Sequence, residues 1–194
     1  MDSELIIMDA FESVVSTLLK RSGYWTDTSF KVELTKEEKV AIERPSSPRW
    51  EIDVVAYSGA RNELLIVECK SYLDSPGVRF DDLNGTGKYT TRYKLFNDTH
   101  LRDTVINRLK MQLVEQGHCA DAPKACLCLA TGKFASATDR ERTKELFDKK
   151  GWKLFDDQWI VQNLEQFAEL GYENDVAIVV AKLLMRNKNN WKNL

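Results

Sequence analysis

Residues 50–72, WEIDVVAYSGARNELLIVECKSY, constrain the fold of this chain more than any other stretch. Two apolar runs, IDVVAY and LLIVECK, flank the polar segment SGARN, the pattern of two strands joined as a hairpin. Each run nonetheless carries charge in its interior: Asp53 in the first, Glu68 and Lys70 in the second. A symmetric register around SGAR sets Asp53 across from Glu68 and Glu51 across from Lys70. Side chains two apart on a strand share a face, so all four would project from one side. Directly opposed residues have Cβ atoms about 4.5–5.5 Å apart, where like charges are destabilising. Two carboxylates about 4 Å apart repel by roughly 1 kcal/mol in water and roughly 4 kcal/mol near a protein surface. A divalent cation would turn that repulsion into attraction, and carboxylate oxygens with a backbone carbonyl and waters suit the octahedral preference of Mg2+. The competing reading of Asp53, Glu68 and Lys70 is a buried structural ion-pair triad.

Helices and further strands are expected around this hairpin. In FESVVSTLLKRSGY, residues Phe11, Val14, Val15, Leu18 and Leu19 recur at helical spacing and Gly23 marks a stop. SFKVEL alternates Phe30, Val32 and Leu34 with polar residues, a strand, and the proline-containing TKEEKVAIERPSSPR reads as a loop. Residues 73–99 are glycine-rich and poorly periodic, a long loop or insertion of the kind that often carries function. GTGK within it lacks the upstream glycine and the following Ser or Thr of a phosphate loop. Leu101, Val105, Ile106, Leu109 and Leu113 restore a helix over 100–116, and KACLCLATG is a buried strand. TDRERTKELFDKKG reads as a helix opened by a Thr138/Glu141 capping box and closed at Gly151. WKLFD is a short strand, DQWIVQNLEQFAELG a helix, and an additional C-terminal helix spans residues 174–188. The order predicts one α/β domain over residues 1–194, a three-layer αβα fold whose mixed central sheet has helices on both faces.

A chain of 194 residues buries a core without disulfide or metal staples. At 43% hydrophobic and 30% charged it gives no compositional sign of disorder or of a membrane span. The opening MDSELIIMDAF sets acids before a very short apolar run, unlike a secretory signal, and no stretch reaches the roughly 18 apolar residues of a span. A cytoplasmic protein with no membrane partner is expected. Cys69, Cys119, Cys126 and Cys128 form no CxxC pair and their spacing gives no support for an iron-sulfur cluster; reduced thiols are expected. His100 and His118 read as solvated or packed rather than as ligands. A net charge of −2 argues against coating nucleic acid by bulk electrostatics but leaves a local basic groove open. Lys88, Arg92, Lys94, Arg102, Arg108 and Lys110 face only Asp98 and Asp103 in sequence, and the end KLLMRNKNNWKNL is basic. Each segment reads equally as a solvated face.

The arrangement EID…VECK, an acid, a hairpin and then Glu-x-Lys, resembles the PD-(D/E)xK nuclease superfamily with its restriction-endonuclease-like fold. FESVVSTLLKRSGY upstream, VECKSY at the third strand and CLATGKFASATDRERTKELFDKKGWKLFD downstream are similar to Mrr-like restriction endonuclease domains and related Holliday-junction-resolvase-like nucleases. The resemblance covers residues 8–167 and leaves out the last helix. The proline of the superfamily name is absent, with Ile52 standing before Asp53. It implies a core order αβββαβ, Asp53 and Glu68 as metal ligands assisted by the Cys69 carbonyl, and Lys70 as the catalytic lysine. Glu12 matches the first-helix glutamate that often completes such a site, against a plain solvated helix residue. Gln112 matches a supporting polar position, against a plain surface glutamine. Glu51, opposite Lys70 in the expected register, is a further supporting residue.

The expected activity is that of a Mg2+-dependent endodeoxyribonuclease, with Mn2+ as a substitute. It would hydrolyse DNA phosphodiester bonds with metal-activated water and no covalent intermediate. Lys70 would orient the water or the scissile phosphate, while Lys88, Arg92, Arg102 and Arg108 contact the DNA backbone. A homodimer is compatible with this reading. Two rivals stand beside it: a non-catalytic nucleic-acid or protein-interaction module that retains the fold, and a nuclease acting on RNA or small nucleotides, since nothing in the chain speaks for or against reading a 2′-hydroxyl.

Overall fold

The computed structural model describes residues 9–46, 49–171 and 174–191, with side chains up to residue 186. The opening acidic and apolar run through Met8, and the end of the basic tail, lie outside the described residues. Helix α1 (Ala10–Arg21) begins at Asp9, whose side chain accepts from the amides of Phe11 and Glu12 at 2.8 and 3.3 Å. These bonds satisfy two of the donors that a helix start leaves open. Strands β1 (Trp25–Val32), β2 (Trp50–Ser58) and β3 (Glu63–Lys70) form an antiparallel meander. β4 (Lys124–Thr131) and β5 (Lys153–Phe155) add in parallel, giving the order β1-β2-β3-β4-β5. α2 (Lys36–Ala41) follows β1; α3 (Phe80–Leu83), α4 (Lys94–Asn97) and α5 (Thr99–Glu115) separate β3 from β4. α6 (Ala137–Lys150) joins β4 to β5, and α7 (Asp157–Glu169) and α8 (Val176–Trp191) complete the chain.

The sheet is covered on both faces, as a three-layer αβα fold requires. On one, Leu101, Val105, Leu109 and Leu113 of α5 and Phe147 of α6 bury against Ile52, Val55, Leu64 and Ile66. On the other, Val15 and Leu19 of α1 bury against Val54, Ala56, Leu65 and Val67. Because β3 feeds both cores, its apolar run is continuous rather than alternating. Each fully buried Leu, Ile or Val contributes roughly 1.5–3 kcal/mol over an exposed one. Among the described residues, no helix is long and apolar enough to cross a membrane.

Three local expectations are corrected. The stretch read as a loop after β1 holds α2, opened by a capping box in which Thr35 Oγ1 accepts from the Glu38 amide at 3.2 Å and Glu38 Oε2 from the Thr35 amide at 2.8 Å. Residues 73–99 are not an open loop: α3, a 3-10 turn at Thr90–Tyr93 and α4 bury Val78, Leu83, Tyr93 and Leu95, and Val78 bridges to Phe134. The cap of α6 is Ser136, whose hydroxyl accepts from the Asp139 amide at 3.1 Å; Thr138 already lies inside the helix.

Candidate active site

The acidic cluster forms where regular pairing stops. β2 and β3 pair in the expected register from Ser58↔Glu63 to Val54↔Val67, and the ladder ends there. On the other side of β2, the pairing with β1 runs to Thr28↔Val54 and resumes at Phe30↔Ile52, leaving out Ser29 and Asp53, with Ser29 at φ 52°. This break reverses the pleat. Val54 joins the α1-side core while Ile52, two residues earlier, joins the α5-side core. Freed from the alternation, Asp53 turns its Oδ2 to the Cys69 amide at 2.6 Å, taking the place of a ladder carbonyl. Lys70 Nζ lies 3.3 Å from Glu68 Oε2, 3.2 Å from the Cys69 carbonyl and 3.9 Å from Asp53 Oδ2. Glu12 approaches from α1, with its Oε2 accepting a 3.5 Å bond from the Ser29 hydroxyl.

The strand end that carries Lys70 is fixed from the neighbouring strand. The Gly132 amide donates to the Lys70 carbonyl at 3.1 Å, and Gly132 leaves no room for a Cβ against the Ser71 carbonyl. Only glycine allows that approach. Gly132, Asp9 and Ser29 belong to the site's framework and were not expected from the sequence. The glycine after the β4 run was the available signal for the first, and the aspartate preceding a helical run for the second.

Two carboxylates thus flank one ammonium, with side-chain exposures of 21% for Asp53, 13% for Glu68 and 18% for Lys70, and Glu12 adds a third negative charge from the α1 side. Burial, which the pull of Lys70 does not fully offset, pushes Glu68 up to about 7, and the repulsion of Asp53 adds to it. Burial and the neighbouring Asp53 and Asp9 likewise push Glu12 up to about 7. Burial raises Asp53 against the pull of Lys70 and the Cys69 amide. Burial alone would lower the Lys70 ammonium, but Glu68 and Asp53 more than offset it and leave it above its ordinary value. The cluster is short of positive charge.

Among the described residues, no three His, Cys, Asp or Glu side chains converge as a group able to hold a metal. What the site offers is two carboxylates and the Cys69 carbonyl. Asp53 Oδ1 and Glu68 Oε1 lie outside the bonds described above. That donor set fits Mg2+, which is held by one or two carboxylates and keeps several waters.

The other expected site residues lie elsewhere. Glu51 is not opposite Lys70: its cross-strand neighbour is Lys31 of β1, with which it forms an exposed ion pair. Gln112 binds the edge strand, accepting from the Glu33 amide at 3.0 Å and donating to the Lys31 carbonyl at 3.1 Å. Arg108 forms a two-pronged ion pair with Glu38 at 2.8–3.0 Å. Arg102 donates to the carbonyls of Leu95 and Phe96 at 3.3 Å and stacks over Trp152. Lys88 and Arg92 are exposed and line a groove beside the cluster. Compared with known proteins, the chain matches no family model, no curated protein and no solved structure.

Proposed function

We propose that the chain is a divalent-metal-dependent deoxyribonuclease of the PD-(D/E)xK type. The observation that carries this reading is the cluster itself: Asp53 and Glu68 against Lys70, with Glu12 near enough to feel the charge of Asp53, partly exposed and under-compensated in charge. A fold that needed only an ion pair for stability would match one carboxylate to one ammonium. Asp53, Glu68 and the Cys69 carbonyl would hold Mg2+ or Mn2+. Such a cation, when bound, supplies the Lewis-acid charge that favours attack of water on a phosphodiester.

The chain's own groups supply the rest. Lys70, clamped between Glu68 and the Cys69 carbonyl, offers its remaining donor capacity to a non-bridging phosphate oxygen and stabilises charge developing there. Glu12 stands on the helix side as a further acceptor for the attacking water. The Cys69 thiol, pushed well above its ordinary range by burial, stays protonated and is no nucleophile. Four free cysteines suit a reducing, cytoplasmic setting.

The deciding experiment incubates the protein with supercoiled plasmid, linear duplex, single-stranded DNA and RNA in Mg2+, Mn2+ or EDTA. Metal-dependent DNA cleavage lost in Asp53→Asn/Glu68→Gln supports the proposal. Cleavage of RNA alone would assign the RNA reading. Retained nucleic-acid binding without cleavage under any condition would assign the non-catalytic module.

A further inference from the structure

Residues of the 72–93 segment enclose a groove of ≈ 870 Å³ beside the acidic cluster. We infer that this groove takes a nucleotide whose base is unpaired, so that the enzyme acts on DNA carrying a single-stranded segment. This inference rests on the nuclease reading and narrows its substrate class.

The groove begins where the cluster's strand ends, for Tyr72, two residues beyond Lys70, forms part of its wall. Its acidic residues are already engaged by the chain. Asp81 pairs with Arg142 at 3.2 Å, buried Asp82 accepts from the Tyr89 amide at 2.7 Å, and Asp139 accepts from the Phe80 amide at 2.8 Å. Arg79, Lys88 and Arg92 are exposed and, among the described residues, enter no ion pair. With Asp81 matched by Arg142, three cations stand against the two carboxylates of Asp82 and Asp139, so the charge left over for a ligand is positive by one.

The aromatic part is equally specific. Tyr89 is 43% exposed, and its ring lies under the Arg92 guanidinium at 4.9 Å and the Lys88 ammonium at 5.3 Å from the centroid. Its backbone is held by Asp82, against which Gly87 leaves no room for a Cβ, so the ring stands on a fixed support. An exposed ring in a concave basic groove is how single strands are bound: bases stack on the ring whatever their sequence, and phosphates meet the cations. A duplex hides its base faces and gains only the phosphate contacts. An acidic peptide would satisfy the cations and leave the ring unused. The volume lies within the range of sites for ligands of nucleotide size. Lys88, on a long flexible stem, moves to a phosphate and uncovers the ring.

Fluorescence anisotropy in EDTA separates binding from cleavage, with labelled single-stranded DNA, a blunt duplex of the same sequence and a polyglutamate peptide as probes. The single strand is expected to bind at least about tenfold more tightly than the duplex. Tyr89→Ala is expected to lose about tenfold on the single strand and less than about twofold on the duplex, with Tyr89→Phe retaining affinity. Equal affinity for the two DNAs, peptide binding as tight as the single strand, or an unchanged Tyr89→Ala would each overturn the inference. Tyr89 is at the surface, and an unshifted melting temperature of the variant excludes misfolding as the cause of a loss. The two readings fail separately. Mg2+-dependent cleavage of single-stranded DNA that Tyr89→Ala leaves untouched overturns the groove and keeps the nuclease. Tyr89-dependent single-strand binding by a protein that cleaves nothing overturns the nuclease and keeps the groove.

Discussion

Asp53 Oδ2 accepts a hydrogen bond from the Cys69 amide at 2.6 Å, so an acidic side chain closes a sheet ladder that backbone carbonyls have stopped serving. The bond aims Asp53 at the end of β3, where Glu68 and Lys70 stand. It also gives Asp53 two separable roles, hydrogen-bond acceptor and charge.

Asp53→Asn keeps an acceptor and removes the charge. Calorimetry is expected to show Mg2+ or Mn2+ binding to wild type and at least about tenfold weaker binding to the variant, because a charged ligand is lost. In EDTA the same variant is expected to melt at or above the wild-type temperature, since repulsion within the cluster falls. Asp53→Ala, which orphans the Cys69 amide, is expected to lose about 1–3 kcal/mol. Unchanged metal affinity in Asp53→Asn removes Asp53 from the ligand set, and a clear fall in its melting temperature assigns it a structural ion pair.

Lys70 separates chemistry from binding. Its side chain is 18% exposed and its ammonium is held by Glu68 and the Cys69 carbonyl. Lys70→Ala is expected to slow cleavage by at least about 100-fold, the scale of losing one electrostatic or acid–base group, with DNA affinity nearly unchanged. Full activity in the purified variant, with Asp53→Asn/Glu68→Gln as the control for contaminating nuclease, refutes the proposed mechanism.

Stability without metal is expected to depend on pH in an unusual direction for a carboxylate. Glu68 stands at about 7 in the folded chain against an ordinary 4.5. A group raised on folding stabilises the fold below its unfolded pKa and loses that contribution as pH rises through the folded value. Between pH 4.5 and 7 the Glu68 contribution to stability falls. Melting curves in EDTA are expected to show stability declining over this window, a slope that Glu68→Gln flattens and Mg2+ reduces at the alkaline end. A wild-type slope identical to that of Glu68→Gln would show that Glu68 is ionised throughout.

The hairpin, α1, and the positions of Asp53, Glu68 and Lys70 were legible because apolar period, turn residues and charges in strand interiors are local signals. The reversal of the pleat was not. A serine at φ 52° leaves no compositional mark, and neither does the end of the β2–β3 ladder at Val54↔Val67, which takes Glu51 out of the pairing with Lys70. The segment 73–99 escaped for a related reason: its apolar residues are fixed by distant partners such as Phe134, not by a repeat of their own. The capping box of α2 carried the same Thr-x-x-Glu signature used elsewhere, but the prolines that follow outweighed it.

Arg92 and Arg108 look alike in sequence, and the fold divides them. Arg108 holds Glu38 from 70 residues away in the chain, and the same Glu38 caps α2. Arg108→Ala therefore breaks a partly buried pair and leaves Glu38 with only its cap, at an expected cost of about 1–3 kcal/mol in stability. Because the guanidinium is engaged, the salt dependence of DNA binding is expected to stay as in wild type. Arg92, exposed and without an ion pair among the described residues, is expected to do the reverse: Arg92→Ala leaves the melting temperature unchanged and lowers the slope of log affinity against log salt by about one phosphate contact. Paired melts and salt titrations of the two variants check both halves. A lowered salt slope in Arg108→Ala at unchanged stability would return Arg108 to the nucleic-acid contacts, because a guanidinium that releases Glu38 to reach a phosphate cannot also be what holds α2 to α5.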